Sequence, residues 1–135
     1  MATLPTPGGD SGTWGTELNE FLLVSHKADG TLVDVVQNTQ TASYQLVLTD
    51  SGKVVEMNVA GANNLTVPGN ATVAFPVGTI IEICQLGAGQ TTIVAGGATV
   101  LRSAGSNLKI TSQYSSASLR KRATDEWVVT GALSA

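Results

Sequence analysis

The chain has 135 residues, a net charge of −3 and charged side chains at only 13% of its positions. That length suits one compact domain with an attached segment, and the acidic balance excludes general nucleic-acid binding, which needs a basic footprint. An apolar content of 42% excludes a disordered chain, and 15 glycines with few aromatics point to short strands and many turns.

Residues 1–13, MATLPTPGGDSGT, predict an extended arm. Pro5 and Pro7 exclude a helix interior and push the residues before them to β or polyproline geometry. Such an arm becomes ordered only by lying on a partner. Its start lacks the basic and apolar regions of a signal peptide, so synthesis in a cytoplasm without export is expected.

The spacing then predicts an amphipathic helix over 14–27. Trp14, Leu18, Phe21, Leu22 and Ser25 fall on one helical face. Thr13 can cap it, Glu17 suits the positive end of its dipole, and His26 and Lys27 suit the negative end. Asp29-Gly30 supplies the stop. A helix this short is marginal alone, so its apolar stripe needs a partner surface. Trp14 is the expected anchor of that contact, because a large aromatic on such a stripe favours burial.

Residues 28–42 read as a polar linker that holds a short strand over 32–36. From residue 43 to 135 the pattern is β. Segments 44–48 and 53–58 flank Thr49-Asp50-Ser51-Gly52 as a hairpin. Further strands are expected near 65–67, 72–75, 79–86, 91–95, 99–102, 108–111, 115–122 and 127–130, separated by Gly- and Pro-containing turns. Short strands recurring at these regular intervals predict a mainly β domain of the sandwich or jelly-roll kind. No apolar run approaches the ~18 residues of a membrane span.

The residues that carry chemistry are few. His26 is the one histidine, and its place at the helix end is explained by the dipole. Cys84 sits in the most apolar strand, where cysteine behaves as a small hydrophobe. One cysteine excludes a disulfide framework and a zinc pattern. Gly87-Ala88-Gly89-Gln90-Thr91-Thr92 lacks the third glycine and the following helix of a dinucleotide loop, and is expected to be a hairpin turn. The carboxylates have no metal-binding spacing. Arg120-Lys121-Arg122 reads as a solvated strand face balanced by Asp125 and Glu126. The expectation is a protein with no catalytic residue, no cofactor, no metal, no nucleic acid and no membrane. The low charge also points to surface that meets further subunits.

The run Leu4-Pro5-Thr6-Pro7-Gly8-Gly9-Asp10, then Thr13-Trp14-Gly15 with Leu18-Asn19-Glu20-Phe21-Leu22, then His26-Lys27-Ala28-Asp29-Gly30-Thr31-Leu32, resembles the N-terminal segment of tailed-bacteriophage tail-fibre and minor tail proteins. Residues 44–58, the turns at 74–79 and 87–93, and the ending 113–131 are similar to a β module of the same proteins. Here the arm, helix and β module make up the whole sequence, which also resembles a capsid decoration or short head-fibre protein. The resemblance implies a non-enzymatic virion protein on the surface of head or tail, a homo-oligomer and specifically a trimer. It would dock on the major capsid protein or on tail proteins through Leu4, Pro5, Pro7, Trp14, Leu18, Phe21 and Leu22. On a tail the β module would bind host-surface glycan, with Tyr44, Tyr114 and Trp127 as the candidate aromatics.

Overall fold

A computed structural model describes residues 14–135, and for Trp14, Glu17 and Phe21 it describes the backbone alone. The expected arm, with Leu4, Pro5 and Pro7, lies outside the described residues. The chain divides into two compact units, Met1–Asp34 and Val35–Ala135.

In the first unit, helix α1 spans Trp14–Leu23. It ends four residues earlier than the sequence predicts. The chain turns at Val24 and Ser25, and the amides of Ser25 and His26 both bond to the Leu22 carbonyl. His26 then bridges antiparallel to Leu32. The turn between them is set by Asp29, whose carboxylate accepts the Thr31 amide at 3.0 Å and the Thr31 hydroxyl at 2.7 Å. Gly30 follows in the left-handed region at φ 82°, which explains why Asp-Gly stands here.

The second unit is mainly β, with two mixed sheets. The strands are β1 (Gln37–Gln40), β2 (Tyr44–Gln45), β3 (Val54–Met57), β4 (Asn63–Val67), β5 (Ile80–Cys84), β6 (Thr91–Ala95), β7 (Val100–Ser103), β8 (Lys109–Ile110), β9 (Ser116–Ala123), β10 (Glu126–Gly131) and β11 (Leu133–Ser134). One sheet has the order β1-β3-β5-β9-β10-β7 and the other β11-β8-β6-β4-β2. From β1 to β9 successive strands therefore alternate between the sheets. Strands β1, β3 and β5 stack in parallel in one sheet, and β2, β4 and β6 do so in the other.

This winding corrects three expectations. Residues 44–58 are not a hairpin, because β2 and β3 belong to different sheets and a one-turn 3-10 helix, Leu48–Asp50, lies between them. Gly87-Ala88-Gly89 is not a hairpin turn either; it is a corner at which the chain leaves β5 for β6 in the opposite sheet. The β structure also begins at Gln37, inside the expected linker, since the polar strand Gln-Asn-Thr-Gln is held by its pairing with β3. One expected hairpin does form. β9 and β10 pair antiparallel around Ala123–Glu126, with a register shift between Glu126 and Trp127.

The middle windings are in register at a constant offset of 28 positions, with 54 opposite 82, 63 opposite 91 and 67 opposite 95. Their corners stack in direct backbone contact. The amides of Leu86 and Gly87 bond to the Met57 carbonyl, and that of Gly89 to the Val59 carbonyl. A Cβ on Gly89 would stand 1.9 Å from the Gly61 carbonyl oxygen, so only glycine permits this approach.

One core takes residues from both sheets: Val55, Met57, Ile81, Ile83, Leu119, Trp127 and Val129 from the first, and Leu65, Val67, Ile93 and Ile110 from the second. Period-two alternation produces it, as the burial along β4 and β9 follows every second residue. Among the described residues no helix is long and apolar enough to cross a membrane.

Candidate functional site

Among the described residues the first unit contributes none to the buried core. Among its described side chains none is buried, and Leu22, Leu23, Val24, Leu32 and Val33 are all exposed. Leu22 retains 43% of its exposure and Val24 70%. Leu18 is half-buried. Of the stripe expected from the sequence, Leu18 and Leu22 lie on described helix, Ser25 falls in the turn beyond it, and the side chains of Trp14 and Phe21 lie outside the described residues. Val24, Leu32 and Val33 were not expected. Their signal was available in the sequence, since Leu32 and Val33 follow the Asp29-Gly30 turn that folds them back beside His26.

An open pocket of about 400 Å³ lies within this unit, lined by Asn19, Leu22, Leu23, His26, Lys27, Ala28 and Gly30. His26 Nδ1 stands 2.9 Å from the Ser25 hydroxyl. Among the described residues no carboxylate bonds to that ring: Asp29 is occupied by Thr31, and Asp34 pairs with Lys27. The Thr31 hydroxyl, and then its amide, hold the Asp29 carboxyl below the usual carboxylate range. The pocket has apolar walls from Leu22, Leu23 and Ala28, with Asn19, His26 and Lys27 among its polar lining.

In the second unit the residues singled out by the sequence are separated. Trp127 is a core residue, stacked edge-on against Phe75 at 5.4 Å. Tyr44 is half-buried, and its hydroxyl donates to Asp50 Oδ2 at 3.0 Å. Tyr114 is 73% exposed, so no shared aromatic surface is formed by the three. Tyr114 also has a left-handed backbone at φ 65°, held by its amide's 2.7 Å bond to the Gln85 carbonyl. Burial, and then the neighbouring carboxylates of Glu56 and Glu82, push the Cys84 thiol up, which is the opposite of nucleophile activation.

The basic run is split by strand alternation. Arg120 and Arg122 face out, and Arg122 pairs with Glu126 at 2.9 Å, as the solvated-face reading expects. Lys121 corrects that reading. It is 2% exposed, and its Nζ donates to Asn70 Oδ1 at 2.6 Å and to the Phe75 carbonyl at 2.7 Å. A second buried polar centre was also missed. Asp50 accepts from Asn38 Nδ2 at 2.7 Å, from Tyr44 and from the Val47 amide at 2.9 Å. It closes the polar interior of the first winding.

Among the described residues no three His, Cys, Asp or Glu side chains gather at a spacing that would hold a metal ion. No protein-family model matches the chain, and no curated protein matches it.

Proposed function

We propose that this chain is a non-enzymatic bacteriophage virion protein, a surface decoration or short head fibre that docks on the particle through its N-terminal arm and helix. The observation that carries the reading is the exposure of Leu22, Leu23, Val24, Leu32 and Val33, in a first unit whose described side chains include none that is buried. A segment that exposes its apolar face while the rest of the chain buries a full core is built to be covered by something else. Copies of the same segment around a threefold axis would cover it. The two β sheets then close on their common core as a sandwich-like knob. The arm supplies the contact with the major capsid protein or with tail proteins, and binding only the assembled particle would stabilise it by mass action.

A second reading has one observation in its favour. Tyr114 is exposed and is held in a backbone conformation that costs a bulky residue about 1–2 kcal/mol. A tyrosine presented at that cost suits stacking on a sugar ring, which fits a tail protein that binds host-surface glycan during adsorption.

The test is gold labelling of purified phage particles with antibody against this chain, together with mass spectrometry of their proteins. Gold over the head supports decoration, and gold confined to the tail supports adsorption. Absence of the chain from particles would overturn both.

A further inference from the structure

Lys121 is the one lysine inside the core, and its position needs an account beyond the strand that carries it. Its main chain is pinned on both sides: its amide bonds to the Thr79 carbonyl at 2.9 Å, and its carbonyl accepts the Gly78 amide at 2.9 Å. Its amine lies 5.9 Å from the centre of the Trp127 ring, and Phe75 packs edge-on against the same ring. Among the described residues Lys121 makes no ion pair. Its side-chain partner is instead the carboxamide of Asn70, at 2.6 Å from Oδ1. Asn70 is itself fixed, because its backbone amide donates to Asp125 Oδ1 at 2.7 Å.

A primary amine held against a carboxamide, buried near the Trp127 ring and aimed by a second acceptor, the Phe75 carbonyl, is an arrangement in which an amide can exchange its nitrogen. We propose that Lys121 and Asn70 form an intramolecular isopeptide cross-link. Lys121 Nζ attacks Asn70 Cγ and a new C–N bond forms. The bond from Cγ to the Asn70 amide nitrogen breaks, and that nitrogen leaves as ammonia, carrying the proton that Nζ gives up. If the lysine starts as an ammonium, its charge departs as an ammonium ion. Nothing is oxidised or reduced, and no co-reactant is needed. The driving arrangement is proximity and orientation, which can replace a large part of the barrier of a bimolecular step. The Phe75 carbonyl orients the amine, and Asp125 acts as a positioning residue by fixing Asn70.

The bond would join two separate parts of the fold. Asn70 follows β4 of one sheet, and Lys121 lies on β9 of the other, 51 positions away. A covalent tie between the sheets suits a β unit that must withstand force or denaturation. The proposal does not depend on the virion reading.

The experiment is intact-mass measurement of the full chain under denaturing conditions, followed by tryptic mapping. The expected mass is about 17 Da below that of the sequence, the loss of one ammonia. Trypsin is expected to release residues 54–102 as a branched peptide carrying the Lys121-Arg122 dipeptide through its side chain. Asn70→Ala and Lys121→Arg are expected to restore the full sequence masses. Asp125→Ala is expected to slow the appearance of the lighter species in freshly made protein, a readout that a purely structural role would not move. An unmodified wild-type mass would overturn the proposal, and so would a 17 Da loss that persists in Lys121→Arg. The branched peptide from the wild-type chain decides the matter even where a variant does not fold.

Discussion

Asp50 and Gly89 illustrate how single residues hold the windings together. Asp50 is 1% exposed and receives three hydrogen bonds, so Asp50→Ala would strand the Asn38, Tyr44 and Val47 donors in the interior. The expected cost is about 3 kcal/mol, read by urea denaturation. The same cluster makes stability depend on alkaline pH. Burial, followed by the adjacent Asp50 carboxylate, holds the Tyr44 hydroxyl above the ordinary tyrosine range. A raised folded-state value means the folded chain keeps its proton longer than the unfolded chain does. The contribution is therefore fully present below the ordinary tyrosine value of about 10 and is lost as pH rises through the raised one. The Tm of the wild type should fall more steeply between neutral and strongly alkaline pH than that of Tyr44→Phe; equal slopes would remove Tyr44 from this role. At the stacked corner Gly89→Ala forces a methyl group onto the Gly61 carbonyl, and a loss of about 3 kcal/mol or more is expected by the same measurement. The sequence revealed little of this. Asp50 sits in a turn-like run, Thr49-Asp50-Ser51-Gly52, where an aspartate has a sufficient local explanation. Lys121 was hidden between two arginines, and only the phase of β9 decides which of the three points inward.

For the elements, many strand positions were legible and strand partners were not, although the strands expected over 32–36 and 72–75 do not form. Hydrophobic alternation located β5, β6, β9 and β10, because burial on one face imposes a period of two whatever the neighbour is. Glycine-rich connections, by contrast, look alike whether the chain doubles back in one sheet or crosses to the other. The stacking itself left a mark at the 28-residue offset: Gly61 and Gly89, Gly69 and Gly97, Val55 and Ile83, and Leu65 and Ile93 all match. A search for internal repeats at that spacing would have revealed the parallel winding. Strand β1 left no such mark, since Gln-Asn-Thr-Gln has neither alternation nor β-branched bulk beyond its threonine. Helix α1 was legible in kind, and its end was missed because the turn at Val24 and Ser25 has no glycine or proline to announce it. Gly15 offers a test of that helix apart from its contacts. A Cβ there meets nothing within 4 Å, so Gly15→Ala should raise helix stability by about 0.5–1 kcal/mol, read as increased protection of α1 amides from hydrogen exchange.

In the whole molecule the two units divide the labour of folding unequally. Among the described residues, 35–135 hold the whole of the apolar core and the eleven strands. Among the described side chains of the first unit none is buried, and its exposed leucines and valines offer an apolar face that a partner could cover. If copies of the chain do so, folding of the first unit and self-association are one equilibrium, and its order must depend on protein concentration. The full chain should then sediment as a trimer at micromolar concentration, whereas a chain beginning at Val35 should be monomeric and keep its β signature. Leu22→Glu with Leu23→Glu should dissociate the full chain, because two carboxylates cannot be buried unpaired in an apolar contact. The double variant should leave the Tm of the β unit within about 2 °C of that of the truncated chain, since changes confined to exposed positions of a separate unit do not reach its core. A full-length monomer with the same Tm would show instead that self-association does not cover the apolar face, and would leave the particle surface as its partner.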